Sequence, residues 1–453
     1  MAEMFKFIVF NSLCILFQVV NTKGAGTKII KIQYGEVRGI RDEKMTSFLG
    51  IPYALPPLQN RRFRPPYPVP VWNSVLNATR YRHDCFNHKS QLDNTNMSED
   101  CLYVNVFIPN SHSKSDVPVV VFLDKISGSQ KIIKDKSQFS VANDVISVTF
   151  NSRQDILGFL SVDKGISGNF GLLDQVTVFR WVKNNIRYFG GDSNNINIVG
   201  DRDILTLHMS SPLNRVLFRA GIALDSMSLI DPLSVGYLRK HLNFQQACVG
   251  SINDKTKFHS CLRSVPVSNL KDISNAKEFP WQQSLFLPVI DQNFIKEVPN
   301  SVFSNGKQNF IDLMVIHSNT NNYLFTNTSC NERLFLDALD FIMVQMKMIL
   351  PLIHWTLATF FQPDSVTGYF CQQTAKLFHE FQTSRLVTQI EEHSHTSMTF
   401  YLILNDTKTS MVEGDSESDI WCVFHGHSVE QCNRRKGTYR ELQSVIINFI
   451  KHR

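Results

Sequence analysis

Beyond its first two dozen residues the chain has no uninterrupted apolar run of the ~18 residues that a membrane-crossing helix needs. It has no Cys-x-x-Cys pair, no His-x-x-x-His step and no Asp-rich loop of calcium-binding spacing, so no metal site is expected. No glycine-rich phosphate loop is present either, and no cofactor is expected. Charge is sparse, with 19% Asp, Glu, Lys and Arg and a net +6, and the basic residues are scattered. One tight group is Asn60-Arg61-Arg62-Phe63-Arg64. Nucleic-acid binding needs a clustered stripe, so no nucleic-acid partner is expected. Internal repeats, low-complexity tracts and linkers are absent. The simplest partition is a leader over residues 1–24 and one domain over 25–453.

The leader is read from Lys6, the apolar stretch Phe7–Val20 and the small or polar residues after it, a secretory signal pattern. The last segment, Thr438–Arg453, is amphipathic and ends in Lys451-His452-Arg453, which fits neither a membrane anchor nor a lipid-anchor signal. Of nine cysteines, Cys14 falls in the leader. The remaining eight, an even set in an exported chain, favour disulfides over metal or redox roles. Sequons at Asn77, Asn96, Asn327 and Asn405 suit a glycosylated route. The sequence therefore reads as a secreted, extracellular glycoprotein with no membrane anchor of its own.

Near-continuous β-branched and apolar runs mark strands at Pro118–Leu123, Val145–Thr149, Ile196–Val199, Gly221–Leu224, Leu313–Ile316 and Met398–Ile403. Such runs imply a sheet covered on both faces. Between them, Leu172, Val176, Phe179, Val182, Ile186 and Phe189 recur at steps of three and four, the stripe of a helix laid on that sheet. Strand, helix, strand in this order predicts an α/β fold with a mostly parallel central sheet and helices on both faces.

Several motifs go further. Gly35-Glu36-Val37-Arg38-Gly39, Phe48–Ala54, Arg62–Pro66 and Ser98–Val106 occur in that order. Asn151, Arg153 and Gly158–Ser161 follow, then Gly168–Gln175, Phe189-Gly190-Gly191-Asp192, Phe286–Asp291 and Val298-Pro299. In combination these resemble the type-B carboxylesterase and cholinesterase family over roughly Gly35 to Phe325, and more loosely beyond, through Asp419-Ile420 and Val423-Phe424. The resemblance implies the α/β-hydrolase fold. It also implies that Cys85 pairs with Cys101 and Cys248 with Cys261. Cys330, Cys371, Cys422 and Cys432 stay unassigned, with Cys371 to Cys432 a guess.

Ester hydrolysis on that fold needs a nucleophile, a base, an acid that orients the base, and backbone donors for the oxyanion. Where the family carries Gly-x-Ser-x-Gly, this chain reads Gly200-Asp201-Arg202-Asp203-Ile204, so Arg202 replaces the serine and Ile204 the last glycine. An arginine at the strained backbone of a nucleophile elbow is sterically poor, and relaxation into an ordinary turn is expected. The glycine-rich oxyanion segment is replaced by Asp124, Lys125 and Ile126, with Asp124 of the wrong sign beside a developing negative charge. Asn322 takes the place of the orienting acid, a change that in an intact triad costs about 10⁴ in rate. Anchored on Asp419–Phe424, the histidine position falls at Ser416. His425 and His427, and the group Glu391, Glu392, His393 and His395, read as surface or packing residues.

Four separate losses predict a non-catalytic relative, with no catalytic residue retained. Some members of the family lack the triad and act as extracellular adhesion or recognition proteins of neuroligin-like, neurotactin-like and glutactin-like type. The resemblance thus implies an extracellular protein partner. A residual gorge holding a small apolar ligand, as carrier or sink, is the alternative, followed by a decaying gene copy and, last, a retained ester hydrolase.

Overall fold

The computed structural model describes residues 26–87, 97–111, 115–123, 135–162, 166–224, 248, 254–270, 286–309, 311–318, 399–404, 424 and 436–451. Its strands are β1 Gly26–Ile32, β2 Gly35–Arg41, β3 Met45–Pro52, β4 Leu76–Asn77, β5 Asp84–Cys85, β6 Met97–Ser98, β7 Tyr103–Pro109, β8 Val117–Phe122, β9 Ile146–Phe150, β10 Gly191–Asp201, β11 Ala220–Leu224, β12 Asp312–Ser318 and β13 Thr399–Leu404. The α-helices are α1 Ser137–Asn143, α2 Asp155–Phe159, α3 Phe170–Asn185, α4 Arg202–Ser210, α5 Lys255–Ser264, α6 Val267–Leu270, α7 Pro299–Ser304 and α8 Lys436–Lys451.

One sheet runs in the order β1-β2-β3-β7-β9-β8-β10-β11-β12-β13, with β4 paired to β2. From β9 to β13 every neighbour is parallel. From β1 to β9 the path β1-β2-β3-β7-β9 is antiparallel, so the sheet is mixed. The antiparallel half was not read from apolar runs, for a physical reason at its outer strands. β1 is the edge strand and is exposed along most of its length, burial alternates along its neighbour β2, and the two carry Lys28, Lys31, Arg38 and Arg41. The family-like motifs Gly35–Gly39 and Phe48–Ala54 lie on β2 and β3 and their exit.

The parallel strands sort their side chains by the two-residue period of a pleated strand. Val119, Val121, Ile146, Val148, Ile196 and Ile198 face one core with α3 and α4. Val120, Phe122, Val199, Ile222, Met314 and Ile316 face a second core with Phe139 of α1 and Leu442, Ile446 and Phe449 of α8. Each such side chain contributes about 1.5–3 kcal/mol when fully buried. That double coverage explains why these strands read as unbroken apolar runs.

Helix α3 begins at Phe170, and the stripe seen in the sequence continues past Asn185 into a 3₁₀ turn, Ile186–Phe189, closed by Gly190 at φ 88°. Glycine is required at Gly171, where a Cβ would lie 2.2 Å from the Arg153 carbonyl. Asn169, at φ 57°, exchanges two hydrogen bonds with the Val289 backbone, donating at 2.7 Å and accepting at 3.0 Å. The segment after residue 285 is thereby fixed to the start of α3. At the far end, Arg219 donates to the carbonyls of Phe449 and Ile450 at 3.1 and 3.3 Å, a cation at the negative end of α8.

Both expected disulfides form: Cys85 to Cys101 and Cys248 to Cys261, with Cα separations of 5.0 and 5.9 Å. Each closes a short loop, worth about 3 kcal/mol in the chain-entropy account. Cys330, Cys371, Cys422 and Cys432 and the leader lie outside the described residues. No helix among the described residues is long and apolar enough to cross a membrane.

Candidate functional site

Ligands of open α/β sheets bind beyond the carboxyl ends of the parallel strands. Here the registers align those ends. Val199 of β10 faces Phe122 of β8, Asp201 faces Leu224 of β11, Leu224 faces Ile316 of β12, and Ile316 faces Leu402 of β13. The strands that lead into Asp124, Arg202 and Asn322 therefore finish at one rim. Of the positions read from the sequence, Arg202 is described; Asp124, Lys125, Ile126, Asn322 and Ser416 lie outside the described residues, as do His425, His427, His393 and His395.

At the rim β10 passes straight into α4. Asp201 ends the strand at φ −59° and ψ 139°, and Arg202 is already the first helical residue. Arg202 is not among the residues at positive φ, so the sharp elbow that would present a nucleophile is absent here. Gly200 is retained for packing: a Cβ there would meet the Leu123 Cβ at 2.7 Å. Ile204, which the resemblance sets at the place of the family's second glycine, is buried and packs in the core beneath α4.

The Arg202 side chain is buried, and its Nε and Nη2 donate to Asp203 Oδ1 at 3.3 and 3.2 Å. A guanidinium stays protonated and offers donors only, so it cannot attack a carbonyl. The hydroxyls of α4 are engaged by its own backbone. Thr206 Oγ1 donates to the Arg202 carbonyl at 2.7 Å, and Ser210 Oγ donates to the Thr206 carbonyl at 3.0 Å.

One histidine on α4 was not singled out from the sequence. His208 is fully buried, with Nε2 2.6 Å from Gln175 Oε1 and Nδ1 3.0 Å from Asn214 Nδ2. Asn214 Nδ2 also donates to the His208 carbonyl at 3.1 Å, which fixes the amide's orientation. Nδ1 is then an acceptor and Nε2 carries the proton. Phe179 and Phe294 pack edge-on, and burial pushes the imidazole down to about 3. Both ring nitrogens are bound to amides rather than to a hydroxyl and a carboxylate. The ring joins α3 to α4 as a neutral core group and is a poor proton acceptor. The sequence signal for it was its place four residues after Ile204 on the apolar face of α4. Among the described residues no cluster of three or more His, Cys, Asp or Glu could hold a metal.

A sequence profile described as the carboxylesterase family matches residues 26–451. The chain is 30% identical over 314 residues to the para-nitrobenzyl esterase of Bacillus subtilis (strain 168), covering 66% of this chain and 64% of that protein. It is 32% identical over 337 residues to the acetylcholinesterase of Bungarus fasciatus, covering 67% and 55%. A solved structure titled PNB esterase superposes with a TM-score of 0.77 at 23% identity, covering 94% of this chain and 90% of that one, a likeness of fold. The matched region thus spans little more than half the length of these curated relatives.

Proposed function

The chain belongs to the carboxylesterase family, and from that premise we propose that it is a non-catalytic member, an exported glycoprotein that binds an extracellular protein partner. The observation that carries this reading is Arg202. At the position where an esterase presents a serine on a strained turn, this chain has a buried, ion-paired guanidinium on ordinary helical backbone. Ester hydrolysis is a property of the relatives named above and is not carried over. Asp124 to Ile126 in place of glycine donors, Asn322 in place of the acid and Ser416 in place of the base support the same reading from sequence. Export is supported by the leader pattern, by the two disulfides, and by the sequon residue Asn77, which stands exposed at the end of β4.

Restoring the nucleophile alone separates this reading from a simple serine loss. Arg202→Ser is expected to give no turnover of a p-nitrophenyl ester above the uncatalysed rate, because acid, base and oxyanion donors remain replaced. Measurable turnover by that single variant would contradict the proposal.

A further inference from the structure

The basic run noted in the sequence divides in the fold. Arg62 turns inward: its Nε and Nη2 donate to the two carboxylate oxygens of Glu99 at 2.7 and 2.5 Å, and its Nη1 to the carbonyls of Leu262 and Val265 at 3.2 and 2.6 Å. The last two bonds draw the end of α5 against the run, some two hundred residues away in sequence. Arg263 answers from α5, its Nε donating to the Arg62 carbonyl at 3.1 Å. The Arg64 carbonyl meanwhile accepts from Arg153 Nη1 at 2.7 Å, so the backbone of Arg64 is held in place while its side chain stands exposed.

The segment that carries Arg64 and the end of α5 that carries Arg263 are thus docked on each other. Burial and the charge of Arg64 hold the Arg263 guanidinium below its ordinary range, with Tyr67 acting in the opposite sense. No carboxylate pairs with Arg64 or Arg263 among the described residues, whereas Arg62 and Arg153 are both neutralised. Arg61, whose Nε donates to the Pro56 carbonyl at 2.8 Å, adds a further guanidinium at the margin, likewise without a carboxylate. Unpaired cations carried on two segments that other bonds dock together are what an anion relieves. Guanidiniums match tetrahedral oxyanions in shape and in donors.

We propose that Arg64 and Arg263, on these two docked segments, with Arg61 and Tyr67 of the same stretch of chain, form a binding site for a sulfate or phosphate ester group carried on a polyanion. None of these residues belongs to α4, and the proposal does not depend on whether the chain hydrolyses esters.

The test uses the full secreted chain and a heparin oligosaccharide, titrated calorimetrically at several salt concentrations. The paired variant Arg64→Gln with Arg263→Gln is compared with Lys28→Gln with Lys31→Gln, which removes the same charge from the exposed strand β1. The arginine pair is expected to weaken binding about tenfold and to flatten the salt dependence, the lysine pair to change it less than about twofold. Arg263→Lys, which keeps the charge but loses the planar fork and the bond to Arg62, is expected to weaken binding by a factor between those of the two pairs. Competition by inorganic sulfate over inorganic phosphate identifies a sulfate ester, and the reverse order a phosphate ester. Equal weakening by both pairs, or no binding by the wild-type chain, overturns the proposal.

Discussion

Replacing Lys136 with methionine is expected to stabilise the protein by about 3–5 kcal/mol at pH 7, a gain far above that of most single substitutions. Lys136 precedes α1 and is almost entirely buried. Its ammonium lies 4.7 Å from the Phe122 ring centroid, and Nζ donates to the Phe424 carbonyl at 3.4 Å, a long bond for a buried charge. Burial pushes this amine from 10.5 down to about 7, against the opposing pull of Asp135. The linkage has a definite sign. Between those values the unfolded chain holds the proton and the folded chain does not, so stability climbs with pH from about 7 toward 10.5. Below 7 the penalty is constant, and at ~1.4 kcal/mol per unit its ceiling is about 5 kcal/mol. Methionine keeps the apolar stem and removes the titration. Urea unfolding at pH 7, 8, 9 and 10 is the measurement. The wild-type chain should gain stability over that range and the variant should not, and a variant no more stable than wild type would contradict this account of Lys136.

The opposite result is expected at Arg153, whose guanidinium is paired with a buried carboxylate. Asp174 is fully buried and accepts three bonds from Arg153 through Oδ2 and Oδ1, from the backbone N at 3.1 Å, Nε at 2.8 Å and Nη2 at 2.7 Å. The same guanidinium stacks 5.4 Å from the centroid of Phe170, so one residue ties the loop after β9 to the first turns of α3. Arg153→Met leaves the Asp174 carboxylate buried without its cation, at a cost of about 3–5 kcal/mol. Adding Asp174→Leu should recover more than half of that loss, since an apolar pair is often no worse than an ion pair at such a site. Chemical unfolding of the two variants and the wild type checks both statements, and a double variant as unstable as the single one would refute the explanation.

These two residues also mark the limit of what the sequence discloses. Arg153 stands in a stretch that resembles the family, and its burial could be expected from that alone. Lys136 looks like any surface lysine at a helix start, because the carbonyl that receives it is Phe424, 288 residues on. The same holds for His208, whose partners Gln175 and Asn214 come from other elements. The parallel half of the sheet was legible because both of its faces are covered, which writes apolar runs such as Val117–Phe122 directly into the chain. The antiparallel half was not, because its outer strands leave one face to solvent and read as mixed polar sequence. At the rim, Arg202 stands where the family resemblance places the serine, and the structure adds that the backbone there is plain helix.

The central claim is the absence of an activated serine. Incubating the purified chain with a fluorescent organophosphonate, beside an active carboxylesterase, tests it most directly, since labelling requires a hydroxyl that an imidazole has deprotonated. We expect the esterase to be labelled and this chain to remain dark at every probe concentration that saturates the control. Stoichiometric labelling of this chain, traced by peptide mapping to one serine, would contradict the account.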